Sequence, residues 1–518
     1  MNNKIKNALI SVYNKEGVVE FASSLCGFGI KIVATSGTAK ILLENDIKVD
    51  KIEDVFNISE LLDGRVKTLH PDIFASILAD RSKNKHISQL KELKLEPIDL
   101  VVVNLYPFQD GLKMGKKEED LIELIDIGGV SLLRAAAKNY KYCIPIFSPS
   151  QYNEFIDEIK RNNGEVTNDY RKIQAIETFK NTFKYDGIIS KYFREGIKEE
   201  EFPQIFTFEY SKIMDLRYGE NPHQKSALYS ESTTKKSLIN SKVLSGKAMS
   251  YNNWMDADTA VSVVSEFEEP SASIVKHAAP CGVGIGENIY DAFNRAYITD
   301  PISSFGGIVA VNREINLETA KDIISSYFEV VIAPSFTNDA LKSLKTKKNI
   351  RLIELDPEVL SISKSIKFYS IKGGLLIQES DSIIDSMDEW ELVSDTKPTE
   401  KELKALNFAW KVVKWVKSNG IVIAIENRTI GVGTGQPSRV DSVELAIKKA
   451  GAQGHHTAGT ALASDGFFPF RDSIDEAAKA GVTAIVEPGG SIRDQEVIDA
   501  ANEYEISLLF TRKRHFRH

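Results

Sequence analysis

The run Asp99-Leu-Val-Val-Val-Asn-Leu-Tyr-Pro-Phe108 decides how the first part of this chain folds. From Asp99 to Leu105 it is almost wholly apolar. A run that short and that uniform suits a strand covered on both faces, as in a parallel α/β sheet. Towards the N-terminus, Ile30–Thr35 (IKIVAT) and Ala8–Val12 (ALISV) read as strands, each followed by a helix, over Thr38–Glu44 and Gly17–Leu25. Towards the C-terminus, Ser131–Asn139 reads as a helix and Tyr142–Phe147 as another strand. Alternating units of this kind predict an open α/β sheet over the first 195 residues, with ligand sites at the carboxyl ends of its strands.

The full chain of 518 residues suggests roughly three domains. Hydrophobic residues at 42% and charged residues at 27% exclude a fibrous or disordered chain. The net charge of −8 argues against a general nucleic-acid or membrane-surface binder while leaving room for local basic pockets. Cys26, Cys143 and Cys281 contain no CxxC pair, so neither a disulfide framework nor a thiolate zinc site is expected. With no signal-peptide pattern at the start and no apolar run near the roughly 18 residues of a membrane span, the expectation is a soluble, cytoplasmic protein.

The chain turns acidic between Arg194 and Pro203, which reads as a connection. A second break is expected near Glu379–Thr399, followed by a helix over Lys401–Val416. Val275-Lys276-His277 followed by Cys281-Gly-Val-Gly284 is faintly echoed by Val416-Lys417-Ser418 followed by Gly431-Val-Gly433. Two related sub-domains would explain the echo, as would chance.

Several motifs carry chemistry. Thr35-Ser-Gly-Thr38 follows a strand and opens a helix; its free amides and hydroxyls either cradle a phosphate or cap an ordinary strand–turn–helix. Gly64-Arg-Val-Lys-Thr-Leu-His-Pro71 brings Arg65 and Lys67 onto one face if extended. Asn104 and Tyr106 end the buried strand. Asp126-Ile-Gly-Gly-Val130 leads into a helix carrying Arg134 and Lys138, four apart on one face. Together these favour an anionic small molecule.

Further on, Leu216–Gln224 gathers Arg217, Tyr218, Asn221 and His223. Ile274-Val-Lys-His277 places a potential general base beside a cation, which disfavours protonation of the imidazole. The zinc deaminase pattern H-x-E…P-C-x-x-C fails here, because residue 279 is Ala and residue 284 is Gly; no metal is expected. Gly431–Arg439 and Glu487–Ser491 are Gly-rich turns, and Ala463–Asp472 sets three Phe beside Asp465 and Asp472. The basic tail Arg512–His518 reads as solvated.

Taken in this order, the motifs closely resemble the aminoimidazole-carboxamide ribotide (AICAR) formyltransferase/inosinate (IMP) cyclohydrolase family of purine biosynthesis. The resemblance runs from SVYNKEG at Ser11 through GRVKTLHP, NLYPF, DIGGV, RAAAKN, LRYGENPHQ, VKHAAPCG, SSFGG, GTGQPSR and FFPFRD to the final RHFRH. It implies a methylglyoxal-synthase-like α/β cyclohydrolase domain over residues 1–197. It further implies a formyltransferase region over 198–518, built of two cytidine-deaminase-like sub-domains of about 198–385 and 386–518, without zinc. The implied cosubstrate is 10-formyltetrahydrofolate, and the implied assembly is a homodimer whose formyltransferase sites are shared; a structural monovalent cation is compatible with it. No nucleic acid and no membrane are involved.

The family's site residues carry over by motif. Lys15, Thr35, Ser36, Gly37, Thr38, Arg65, Thr68 and Asn104 would bind nucleotide in the cyclohydrolase, with Lys67, Tyr106, Asp126 and Lys138 at the reacting groups. Lys276 and His277 would be the formyltransferase pair. Arg217, Tyr218, Gly306, Glu329, Asn419, Arg439 and Arg514 would hold AICAR, and Val440, Phe467, Asp472, Ser491 and Ile492 the folate. Arg514 thereby becomes a ligand residue rather than a solvated charge. The chain departs from the family at Ala279, commonly Asn, and at Tyr13-Asn14, often Ser-Asp; Glu329 is Asp in some members. A nucleotide sensor that kept the fold and lost the chemistry is the competing reading, opposed by the joint presence of Lys67, Lys138, Lys276 and His277.

Overall fold

The computed structural model describes residues 4–59, 61–195, 202, 204–231, 236–362 and 364–518. The expected boundary at 197/198 lies outside these described residues. The chain divides into two compact units, 1–209 and 210–518.

The first unit holds five strands: β1 (Asn7–Val12), β2 (Lys31–Ala34), β3 (Asp50–Lys51), β4 (Leu100–Asn104) and β5 (Ile144–Ile146). All pair in parallel, in the order β3-β2-β1-β4-β5. The apolar run Asp99–Leu105 holds β4, which lies between β1 and β5. Leu100 and Val102 enter one core with Phe21 and Phe155, while Val101 and Val103 enter the other with Ile73 and Leu132. Burial on both faces is what a run without polar alternation requires.

Element ends moved by up to three residues. The second helix begins at Ser36 because Thr35 takes the extended cap conformation. The expected helix over 131–139 begins at Gly128. Gly128 and Gly129 form its first turn, where a Cβ on Gly129 would strike the Asp126 carboxylate and one on Gly128 would strike the Thr68 hydroxyl at 2.5 Å.

The second unit carries β6 (Tyr210–Leu216) and β7 (Ser226–Glu231) as a hairpin, then β8 (Lys242–Ser245), β9 (Ser271–Lys276), β10 (Ala279–Ile285), β11 (Ile308–Val311), β12 (Val330–Ala333) and β13 (Arg351–Glu354). A second hairpin follows, β14 (Ile366–Ile371) and β15 (Gly374–Glu379). It leads into β16 (Glu391–Leu392), β17 (Ile421–Ile425), β18 (Arg428–Gly433), β19 (Ala461–Ser464), β20 (Ala484–Glu487) and β21 (Ser507–Phe510). Twelve strands make one mixed sheet, β16-β21-β20-β19-β17-β18-β10-β9-β11-β12-β13-β8.

That order reads the same from both ends. Each half runs strand, 14-residue helix, hairpin, then helix–strand units; the long helices are Tyr251–Val264 and Glu400–Val413, both opened by a capping box. The halves meet where β10 pairs antiparallel with β18, and the Val283 amide donates to the Thr429 hydroxyl at 2.9 Å.

The faint internal echo is therefore half structural. Gly282 and Gly284 on β10 press against the carbonyls of Ala296 and Ala292, as Gly431 and Gly433 on β18 press against those of Ala446 and Ser442. By contrast, Val275–His277 ends β9 whereas Val416–Ser418 precedes β17, so those matched letters occupy different places.

Candidate active sites

In the first unit, the carboxyl ends of β1, β2 and β4 open on one edge. Asn104, the last residue of β4, accepts from the amides of Tyr13 and Asn14 at 2.5 and 2.9 Å and donates to the Asn14 carbonyl. It thus fixes the loop that brings Lys15 back. The Lys15 ammonium reaches the Val12 carbonyl and the Thr38 hydroxyl (3.1 Å). Burial and then the charge of Lys67 push Lys15 below its ordinary value. Two ammonium groups sharing one space beside a helix N-terminus form the arrangement an anion fills.

Around them, Thr35 and Thr38 are buried, Ser36 donates to Glu53, and no atom lies within 4 Å of a Cβ built on Gly37. Thr68 is buried against Gly128. Asp126 accepts from the Gly129 amide at 2.6 Å, and burial raises its pKa although the Gly129 and Tyr106 amides oppose the rise. Tyr106 is exposed, 5.5 Å from the Tyr13 ring, and Arg65 pairs with Glu123 at the surface.

Lys138 does not join this cluster. It ends the helix Gly128–Lys138, about 15 Å along the axis from the Asp126 end. There it lines a cavity of about 680 Å³ with Phe74, Leu78, Arg134, Tyr140 and Phe179. The neighbouring Asn139 amide binds the carbonyls of Ile77 and Ala79, at the far end of the helix that starts after Thr68.

In the second unit, Lys276 ends β9 and His277-Ala278 is a two-residue turn into β10, with Lys276 paired to Ala279. Both turn residues are left-handed, at φ 56° and 55°. Such a turn matches the twist of a hairpin but ordinarily asks for Asn-Gly. Here Asp256 holds it: its carboxylate accepts from Ala278 N at 2.6 Å and His277 N at 3.2 Å. Burial pushes Asp256 up, against the pull of those amides. The sequence reading missed Asp256, which is buried on the helix Tyr251–Val264 beside other buried polar residues, Asn253 and Thr259. The Lys276 ammonium donates to Phe305 O at 2.7 Å, beside Gly306, whose φ of 77° requires glycine. Glu329 accepts from Asn253 at 2.8 Å and lies 3.6 Å from Arg351. Arg217 stacks on Tyr218, exposed after β6.

A second cluster sits at the same sheet edge, after β18. Arg439 is buried, donating to Ser464 (2.8 Å), Asp465 (2.5 Å) and Asn419 (2.8 Å). Val440 follows it, half-buried. Phe467 is exposed, and the amide of buried Phe468 donates to Glu487, whose carboxyl burial pushes up to about 8. Asp472 starts a helix. The Ser491 amide donates to Asp494, leaving Ile492 fully exposed on its turn. Arg514 stacks on Phe516 at 4.6 Å.

Among the described residues, no group of three or more His, Cys, Asp or Glu is placed to hold a metal ion, and no helix is long and apolar enough to cross a membrane.

Two sites of this kind, one built on a parallel sheet with paired ammonium groups and one on a Lys–His turn, define a two-activity enzyme for anionic small molecules. The family described as AICARFT/IMPCHase bienzyme matches residues 136–449, and the MGS-like domain matches residues 17–131. The chain is 50% identical over 517 residues to the bifunctional purine biosynthesis protein PurH of Acetivibrio thermocellus, covering 99% of this chain and 100% of that one. It is 47% identical over 520 residues to the protein of the same name in Caldicellulosiruptor saccharolyticus and 48% over 517 residues to that of Bacillus cereus, with the same coverage. A solved structure titled "Crystal structure of ForH" is 30% identical, covering 36% of this chain and 98% of that one, with a TM-score of 0.32 that supports no argument. The chain belongs to the AICARFT/IMPCHase bienzyme family: it is an AICAR formyltransferase and IMP cyclohydrolase of purine biosynthesis, with a folate cosubstrate.

Proposed function

We propose that formyl transfer from 10-formyltetrahydrofolate runs at the Lys276–His277 turn and ring closure at the Lys67–Asp126 cluster. The 5-amino group of AICAR is a weak nucleophile, its lone pair delocalised into ring and carboxamide. His277 takes its proton as it attacks the formyl carbon, and Lys276 stabilises the oxyanion. As the bond to the folate nitrogen breaks, that nitrogen takes up a proton and leaves as tetrahydrofolate. The observation that carries this reading is the left-handed turn fixed by Asp256, which presents both side chains from a rigid hairpin. Arg217, Tyr218, Gly306, Glu329, Asn419, Arg439 and Arg514 hold AICAR; Val440, Phe467, Asp472, Ser491 and Ile492 meet the folate.

In ring closure the carboxamide nitrogen attacks the formyl carbon and water is lost. Both groups belong to one molecule, so positioning supplies much of the rate. Lys15, Thr35, Ser36, Gly37, Thr38, Arg65, Thr68 and Asn104 hold the nucleotide, Lys67 stabilises the oxyanion, and Asp126 with Tyr106 orients the amide. Lys138 stays outside this step in its own chain. The Lys276 turn, which joins β9 and β10, and the Asn419–Arg439 cluster at β17 and β18 are about two strand spacings, roughly 10 Å, apart on one edge. A homodimer in which each transferase site is completed by the second copy, as the family resemblance implies, is part of this proposal. Three free thiols, at Cys26, Cys143 and Cys281, suit a cytoplasmic setting.

The test supplies AICAR and 10-formyltetrahydrofolate and follows tetrahydrofolate and IMP separately. Both appear with the native chain. Lys67→Ala cuts IMP formation by about a hundredfold or more and spares tetrahydrofolate release. Loss of both in a folded variant contradicts separate sites.

A further inference from the structure

The tail Arg512–His518 contains a buried side chain that neither reaction uses. His515 is 2% exposed, and its two ring nitrogens face two carboxylates: Nδ1 is 2.6 Å from Asp381 Oδ2 and Nε2 is 2.9 Å from Asp385 Oδ2. Only the doubly protonated ring donates to both; a neutral tautomer turns one lone pair towards a carboxylate. Every element around the ring contributes charge or a donor. The segment after β15 supplies Asp381, Asp385 and Glu389, and the tail supplies Lys513, 2.9 Å from Asp385 and 2.6 Å from Glu389. The helix Glu400–Val413 and the turn after it supply Trp410, whose ring packs tilted against His515 at 4.9 Å and which donates to Asp385 at 2.8 Å, and Lys414, paired with Glu266 at 3.0 Å. From β14, Lys367 feels Asp381, Asp258, Arg517 and Lys414. With His515 neutral, the carboxylates outnumber the cations in direct contact with them.

We propose that His515 is a positioning residue of the formyltransferase site: its clamp between Asp381 and Asp385 fixes its sequence neighbours Arg514 and Phe516 beside Arg439. The His515 amide donates to the Asp465 carbonyl at 3.0 Å, and Asp465 is the ion-pair partner of Arg439. Phe516 lies under the Arg514 guanidinium, its ring centroid 6.0 Å from that of Arg439. On the other side, Arg517 donates to Trp415 O and the Thr259 hydroxyl at 2.9 and 2.7 Å. The ring of His515 is thus the side-chain anchor between Arg514, read as an AICAR ligand, and Phe516, which packs against Arg514 and Arg439. Burial alone would lower its pKa, but the hydrogen bonds to Asp381 and Asp385 outweigh burial and raise it. A raised imidazolium clamp is intact below about pH 6.5 and is lost as pH climbs through the higher folded value.

The inference rests on the reading that Arg514 binds AICAR. The test measures the AICAR KM and kcat of formyl transfer from pH 6 to 9.5 for the native chain, His515→Gln, Asp381→Asn and Arg514→Ala, with ring closure of formyl-AICAR as a parallel activity. The native KM should rise with pH through one ionisation above the ordinary histidine range. In His515→Gln it should be raised about tenfold at pH 7 and lose that ionisation, with kcat changed less than about threefold and ring closure unchanged. Should His515→Gln fail to fold, Asp381→Asn, whose native side chain is 37% exposed, should show the raised KM and a weakened pH dependence. A raised KM in Arg514→Ala with native KM and pH profile in the clamp variants overturns the positioning role alone. An unchanged KM in Arg514→Ala overturns the reading beneath it, and the inference with it.

Discussion

The two halves of the twelve-stranded sheet share an element order, and they differ at one turn. In the first, β9 and β10 are joined by His277-Ala278 with both residues left-handed; in the second, the matching turn, Glu426-Asn427, has no positive φ. The long helices behind the hairpins differ in the same place. Each has 14 residues after a capping box, and the sixth is Asp256 in one and buried Ala405 in the other. The glycines that let β10 and β18 approach their helices are common to both halves. Packing residues are thus repeated, while the residues that hold a left-handed turn occur once. Left-handed backbone at a non-glycine residue costs roughly 1–2 kcal/mol, and two hydrogen bonds to a carboxylate offset a cost of that size.

The comparison breaks first if the reactive turn is not what sets the halves apart. His277→Ala should lower formyl transfer by about 10²- to 10⁴-fold while ring closure of supplied formyl-AICAR continues, read from tetrahydrofolate and IMP separately. The common packing gives the next effect. Gly282→Ala and Gly433→Ala each push a methyl into a helix carbonyl and should each cost about 2–4 kcal/mol in denaturant unfolding, to a similar degree. A large asymmetry between them would mean that the halves are not equivalent supports.

The smallest effect sharpens the picture of the second half alone. Glu487 is fully buried with its pKa raised to about 8, so the folded chain holds a proton that the unfolded chain releases near pH 4.5. Its contribution is therefore favourable at low pH and lost as pH rises from the unfolded to the folded value. Glu487→Gln should remove that loss, gaining about 1–3 kcal/mol relative to the native chain between pH 5 and 8. Thermal unfolding of the pair across that range reads the difference.

Much of the first unit was legible because β4 is buried on both faces and says so in five consecutive residues. Helix starts were less legible: Gly128-Gly129 reads as a turn until the Asp126 carboxylate is seen to fill the space a side chain would need. Lys138 was recognisable as a motif residue, yet the 1.5 Å rise of a helix already separates it from Asp126. The second unit's twelve-strand order was not legible, since its short strands pair across more than a hundred residues, as Val283 does with Thr429. Asp256 was missed for a related reason: it acts on amides 21 and 22 residues further on, a distance that no local pattern encodes.

The most direct test gives the first half the residue of the second. In Asp256→Ala, formyl transfer should fall about tenfold to a hundredfold, while ring closure of formyl-AICAR keeps the native rate. Native formyl transfer in a folded Asp256→Ala variant would contradict the claim that a carboxylate-held left-handed turn makes this hairpin the catalytic one.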